Sequence, residues 1–218
     1  MSVWTELLNV NEYVKLLIGL IAICNPLSTL PVYLSLTEQF SSSQKKRTVL
    51  VSASAFVVIL ILFTFMGEVI LQFFGITIEA FRIAGGIYLL LMALAMLRGN
   101  PSSGHKQKPN VADMHSVAIV PLAIPLTAGP GALSTIIVYA HRHTSIAHDL
   151  LVSAVVVTVG VIFYLMLWFA PFMSKMVGKT GLTVFNRIMG LIIAAIAIEF
   201  IIDGLAVHFP AWITIAQP

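Results

Sequence analysis

A chain of 218 residues with 59% hydrophobic and only 10% charged residues is far from the composition of a soluble domain, which carries about 25% charged residues. The mean hydropathy of +0.99 and the recurring apolar runs of about 20 residues exclude a cytosolic globule and describe an integral membrane protein. The net charge of +3 does not argue for a nucleic-acid partner, because the Lys and Arg residues flank apolar runs, where membrane topology alone accounts for them.

The N-terminal stretch Met1-Ser2-Val3-Trp4-Thr5-Glu6 lacks a basic n-region, so the first apolar run is expected to stay as a helix rather than leave as a signal peptide. Six spans are expected, over residues 13–36, 48–74, 80–97, 117–140, 150–173 and 185–207. The third is short, and Arg82 and Arg98 reach its two interfaces by snorkelling. Residues 98–110 are polar and rich in turn formers, which reads as a linker. The expected organisation is a first three-span repeat over 1–104, a cytoplasmic linker over 105–116 and a second three-span repeat over 117–218. Cys24 is the single cysteine, so no intrachain disulfide and no cysteine metal cluster is expected, and no cofactor is called for.

One short motif occurs twice. Pro26-Leu27-Ser28-Thr29-Leu30-Pro31 returns as Pro125-Leu126-Thr127-Ala128-Gly129-Pro130, 99 residues on. Each proline removes a backbone donor and crowds the preceding turn, a cost of about 3 kcal/mol in a helix interior. Pro26, Pro31, Pro125 and Pro130 are therefore expected to break spans one and four. A second echo, Arg82-Ile83-Ala84-Gly85 against Arg187-Ile188-Met189-Gly190, has an offset of 105. A duplicated unit with an odd number of spans enters the membrane from opposite sides. The expected fold is thus an all-α membrane protein of six helices in two inverted three-helix repeats, with helices 1 and 4 broken near the midplane.

Lys45, Lys46, Arg47, Arg98, Lys106, Lys108, Lys175 and Lys179 follow spans one, three and five, which places both termini outside the cytoplasm. Counting 1.5 Å per residue from Lys15 and from His115 puts Asn25 and Thr127 each about 15–18 Å deep. Irregular backbone at that depth survives only inside protein or beside a wet cavity. The candidate binding residues are Asn25, Pro26, Ser28, Thr29, Thr127, Ala128, Gly129 and Gly131, with half-helix N-termini suited to a carboxylate and freed carbonyls suited to an ammonium group or cation. The competing reading is a pair of plain proline kinks.

Glu199 falls about 18 Å beyond Arg187. It is a candidate for a coupling ion or proton, against a buried carboxylate bonded to broken backbone. Glu68 reads as structural, and Arg82 and Arg187 as anchors. His141, His143 and His148 read as solvent-facing loop residues, and Gly190 with Ala194 as a small-residue packing pair.

At these residues the chain resembles the MarC family of bacterial inner-membrane proteins. The matching words are Asn25-Pro26-Leu27 with Pro31; Phe81-Arg82-Ile83-Ala84-Gly85-Gly86; Pro125-Leu126 with Ala128-Gly129-Pro130-Gly131; and Arg187-Ile188-Met189-Gly190 with Glu199-Phe200. Ser28 departs from the glycine common at that place in the family. The resemblance implies a six-span plasma-membrane protein, grouped with transporters of small neutral amino acids. The expected function is a secondary transporter of the glycine, alanine and serine class, driven by H⁺ or Na⁺ or running as an exporter. A channel for a small neutral solute and a non-transporting partner subunit are the alternatives. An enzyme is not expected: there is no P-loop, and no His lies at the depth of Ser28 and Glu199 to act as base. The expected partners are the bilayer and the solute, and a homo-oligomer is compatible with the chain.

Overall fold

The computed structural model describes residues 10–38, 40–99, 129–143 and 145–207. The described residues are helical without a strand: α1 (Val10–Cys24), α2 (Pro26–Leu36), α3 (Ser42–Phe73), α4 (Ile78–Leu97), α5 (Pro130–Ala140), α6 (Ile146–Trp168) and α7 (Ala170–Ala206). Five segments are long and apolar enough to cross a membrane: Val10–Leu30, Ser42–Phe73, Ile78–Leu97, Ile146–Trp168 and Thr180–Ala206. The sixth expected span is described only from Pro130 on, as the shorter apolar helix α5, and the rest of 117–140 lies outside the described residues.

Local chemistry sets the helix ends. The Ser41 hydroxyl accepts from the Gln44 N–H, and the Gln44 side chain accepts from the Ser41 N–H, so α3 begins earlier than its apolar run suggests. At its far end Gly75 takes φ +66, with Gly75 N–H on the Gln72 carbonyl and Ile76 N–H on the Leu71 carbonyl. This is the left-handed stop that glycine permits. Thr77 caps α4 by accepting from Ala80 N–H. α7 carries a kink at Gly178 (φ 61, ψ 176), eight residues before Asn186.

Two long pairs organise the bundle: α4 lies against α7, and α3 against α6. The α4–α7 pair is antiparallel and close. A Cβ built on Gly204 would stand 3.0 Å from the Glu79 carbonyl oxygen; one on Gly86, 2.9 Å from that of Ala197; one on Gly190, 3.1 Å from that of Ala93. The small residues on α7 repeat every seven positions, at Gly190, Ala197 and Gly204, and those on α4 do so at Gly86 and Ala93. That spacing lines one seam of a helix pair. The seam therefore uses Ala197 as the neighbour of Gly190, whereas the expected partner Ala194 is only partly buried.

The shorter helices fill the gaps in a reciprocal way. α2 packs on α7 and α6, while α5 packs on α4 and α3. Leu16, Leu20, Phe56, Leu60, Leu89, Ile136, Val152 and Ile193 are fully buried between the helices. Outside, Val58, Leu62, Leu91, Leu191 and Ile202 stay exposed. An apolar exterior around a packed interior is what a hydrocarbon solvent selects, since lipid satisfies exposed leucine as well as the core does.

Two ends of the bundle differ in chemistry. One carries Lys45, Lys46 and Arg47 at the start of α3 and Arg98 at the end of α4. The other gathers Glu12, Glu68, His141, Arg142 and His143.

Candidate functional site

α1 stops because Asn25 takes the left-handed conformation, φ 37 and ψ 64. Only glycine visits that region freely, and Asn is among the few others that tolerate it. Asn25 N–H closes the last turn of α1 on the Ile21 carbonyl, 3.0 Å, and the Asn25 carbonyl accepts from Ser28 N–H, 3.0 Å, to open α2. Pro26 then stands at the first helical position, where its missing N–H removes nothing from the ladder. Pro31 lies inside α2 and ends no helix; lacking an N–H, it leaves the Leu27 carbonyl without its usual helical donor.

The break is lined by amides. Asn25 Nδ2 donates to Ser28 Oγ at 2.5 Å and to Asn186 Oδ1 at 3.3 Å, and Ser28 Oγ donates to Asn186 Oδ1 at 2.6 Å. Asn25 is 2% exposed and Asn186 8%, and among the described residues Asn25 Oδ1 has no hydrogen-bond partner. Turning both amides over preserves all three bonds with their directions reversed. In either orientation one polar atom of the buried Asn25 finds no partner among the described residues, and such an atom needs one inside an apolar bundle. Thr29 is buried beside this cluster in sequence, and Ser28 is half-buried.

α5 begins the same way. Gly129 is its N-cap, Pro130 its first residue, and the Gly129 carbonyl accepts from the N–H groups of Ala132 and Leu133. Each start thus leaves one N–H, of Leu27 and of Gly131, outside the ladder of its own helix. A Cβ on Gly131 would stand 2.5 Å from Leu89 Cδ2 and 3.4 Å from Ile23 Cγ2. The second helix start therefore packs against the last turn of α1, two residues before the break. Pro125, Leu126, Thr127 and Ala128 lie outside the described residues.

Pro26 and Pro130, the two described helix-opening prolines, stand 104 residues apart, whereas the proline words recur at 99; Pro125, the counterpart of Pro26 in those words, lies outside the described residues. Gly131 sits by Leu89 in the middle of α4 and by Ile23, two residues before Asn25, so the described start of α5 and the break after α1 lie close together.

Glu199 does not join the cluster. It is exposed on α7, about 20 Å along that helix from Asn186, and within electrostatic reach of Tyr139 together with Asp203. Asp203 takes Arg82 as its partner at 3.6 Å. The residue missed in the sequence is Asn186. It stands between Phe185 and Arg187 at the start of the expected sixth span, and its only sequence signal is an amide beside that arginine.

Of the three histidines expected to face solvent, His141 and His143 are partly exposed and His148 is not. His148 is 1% exposed rather than solvent-facing. Its Nε2 donates to the Tyr139 carbonyl, 2.8 Å, and its Nδ1 shares a hydrogen bond with Tyr13 OH at 2.8 Å. Around it Glu12 meets Arg142 at 3.9 Å and His143 at 3.6 Å, and Glu68 meets His141 at 3.2 Å. A cavity of about 170 Å³ lies beside them, lined by Thr64, Glu68, Ile137, His141, His143 and Asp149. These contacts tie α1 and α3 to the turn between α5 and α6. Among the described residues no group of three His, Cys, Asp or Glu side chains is placed to hold a metal.

A family model described as MarC family integral membrane protein matches residues 10–209. The chain is 36% identical over 201 residues to the UPF0056 membrane protein YhcE of Escherichia coli, covering 91% of this chain and 94% of that one. It is 36% identical over 194 residues to a UPF0056 membrane protein of Methanocaldococcus jannaschii, with 86% and 92% covered. It is 33% identical over 204 residues to the UPF0056 membrane protein YvbG of Bacillus subtilis, with 90% and 95% covered. No solved structure matches. With a match that runs almost end to end, the chain belongs to the MarC family of integral membrane proteins.

Proposed function

We propose that this protein is a secondary transporter of small neutral solutes of the glycine, alanine and serine class, working by alternating access between two inverted three-span repeats in the plasma membrane, with both termini periplasmic. The observation that carries the reading is the broken helix at Asn25, where Asn25, Ser28 and Asn186 form a largely buried amide and hydroxyl cluster with one polar atom that has no partner among the described residues. Broken helices presenting backbone and short polar groups inside an apolar bundle are the usual way a membrane carrier holds a small polar solute. The reciprocal packing, α2 on α6 and α7 and α5 on α3 and α4, supports a two-fold relation between the halves.

The binding chemistry follows from the groups present. The Asn25 and Asn186 amides, the Ser28 hydroxyl and the Leu27 and Gly131 N–H groups offer donors and acceptors without a charged side chain, which suits a zwitterion or neutral solute better than an ion. The tie of Tyr13 and His148 with the ion pairs around it closes the His-rich end, so release toward that side requires those contacts to part. Glu199, one turn from Asp203, is the proposed coupling group, acting from the His-rich side rather than from the amide cluster. The reading assigns no covalent chemistry to the chain.

Purified protein in proteoliposomes, loaded with labelled glycine, alanine or serine under H⁺ and Na⁺ gradients, tests this. Saturable uptake with counterflow, lost on Asn25→Leu, is the expected result. Flux without saturation or counterflow makes the protein a channel, and no flux from a folded preparation under any gradient refutes transport of these solutes.

A further inference from the structure

The α4–α7 seam carries an arginine near each end, and the two are not treated alike. At the His-rich end Arg82 on α4 meets Asp203 on α7 at 3.6 Å. The 105-residue echo relates Arg82 to Arg187, and the same offset relates Asp203 to Arg98. The Lys-rich end of the seam therefore has the same arrangement with the carboxylate replaced by a second cation. The helices do meet there: Arg187 Nη2 lies 4.0 Å from where a Cβ of Gly99 would stand, and Gly99 follows Arg98 directly. Arg98 and Arg187 are both exposed, and among the described residues neither makes an ion pair. Glu38, in the turn after α2, is the acidic residue described on that side.

Two guanidinium groups carried on neighbouring helix ends at a membrane interface repel, and water there screens them less than bulk solvent does. Guanidinium forks match phosphate oxygens bidentately, and phosphate is the anion that every phospholipid places at that depth. Beneath the arginines the two helices expose Leu91 and Leu94 on α4 and Ile188 and Leu191 on α7, apolar surface for acyl chains.

We propose that Arg98 and Arg187 bind the phosphate of an anionic phospholipid at the Lys-rich end of the α4–α7 seam, the lipid standing where Asp203 stands at the other end. The argument uses the duplication within the proposed function but not transport, so absence of flux leaves it intact.

The test uses the full chain purified in detergent and the thermal midpoint of unfolding with added phosphatidylglycerol, cardiolipin, phosphatidylcholine or inorganic phosphate. Phosphatidylglycerol or cardiolipin at about 100 times its Kd should raise the wild-type midpoint by roughly 5–10 °C, and phosphatidylcholine and inorganic phosphate by much less. Arg98→Asp rebuilds the ion pair of the other end. It should raise the lipid-free midpoint and abolish most of the lipid response, while Arg82→Gln should keep the response. An undiminished response in Arg98→Asp, or equal responses to phosphatidylcholine and phosphatidylglycerol, overturns the site. An equal response to inorganic phosphate overturns the lipid as its occupant. Native mass spectrometry of the same preparations reads retained lipid directly, so that an unfolded Arg98→Asp is replaced by Arg98→Gln with Arg187→Gln, for which loss of retained phosphatidylglycerol is expected and its full retention overturns the proposal.

Discussion

Asn25 does two separable things, and substitutions divide them. It holds a left-handed backbone, φ 37, and it donates from one amide to Ser28 and Asn186. Asn25→Gly keeps the first and removes the second. Ser28 still donates to Asn186 at 2.6 Å, so the loss is two bonds and not the whole cluster. At about 0.5–1 kcal/mol per bond in a membrane interior, the destabilisation should be about 1–2 kcal/mol. Asn25→Ala removes the same bonds and adds a Cβ to a left-handed residue, about 1–2 kcal/mol more. For a chain of this length that places Asn25→Gly roughly 2–8 °C and Asn25→Ala roughly 4–16 °C below the wild type. Thermal unfolding in detergent, followed by the loss of the monodisperse elution peak, reads both. If Ala equals or exceeds Gly, the left-handed break is not what Asn25 supplies. If Gly matches the wild type, the Asn25 amide contributes nothing to the fold.

Gly86→Ala should destabilise by about 1–3 kcal/mol, because its new Cβ meets the Ala197 carbonyl and the adjacent Ile201, whereas Gly19→Ala, with nothing within 4 Å, should be neutral or stabilise by up to about 1 kcal/mol; thermal midpoints compare the two. Tyr13→Phe and His148→Phe, each measured alone and together, should show a coupling of about 0.5–1.5 kcal/mol, and additive effects would mean that the 2.8 Å contact does not hold α1 to α6. In liposomes, Asn186→Ala should lower uptake by roughly tenfold or more, the equivalent of one strong hydrogen bond, and Ser28→Ala by less; normal uptake by both would remove the amide cluster from the solute path. Glu199→Gln should leave solute binding intact and weaken the dependence of uptake on the ion gradient, since its position lies about 20 Å along α7 from Asn186.

Much of the fold is legible in the residues. Helix against strand is decided by long apolar runs that must satisfy their own backbone in lipid, and the membrane class follows from the same fact. The ends of α3 and α4 are written in Ser41, Gln44, Gly75 and Thr77, because capping is a matter of neighbours in the chain. The break at Asn25-Pro26 is equally local.

What the chain cannot state by itself is who meets whom. Asn186 carries no motif, and it becomes a site residue only because α2 packs on α7 and brings Ser28 to 2.6 Å. His148 looks like a loop histidine until Tyr13, 135 positions away, closes over it. The partner of Gly190 is chosen by the seven-residue recurrence of small side chains against an opposing backbone, which picks Ala197 over Ala194. Sequence alone determined the membrane class, the helix punctuation and the break at Asn25, because each depends on solvent or on near neighbours along the chain. Tertiary structure decided the amide cluster, the latched His-rich end and the unmatched arginines of the seam, because each arises where helices distant in sequence are pressed together.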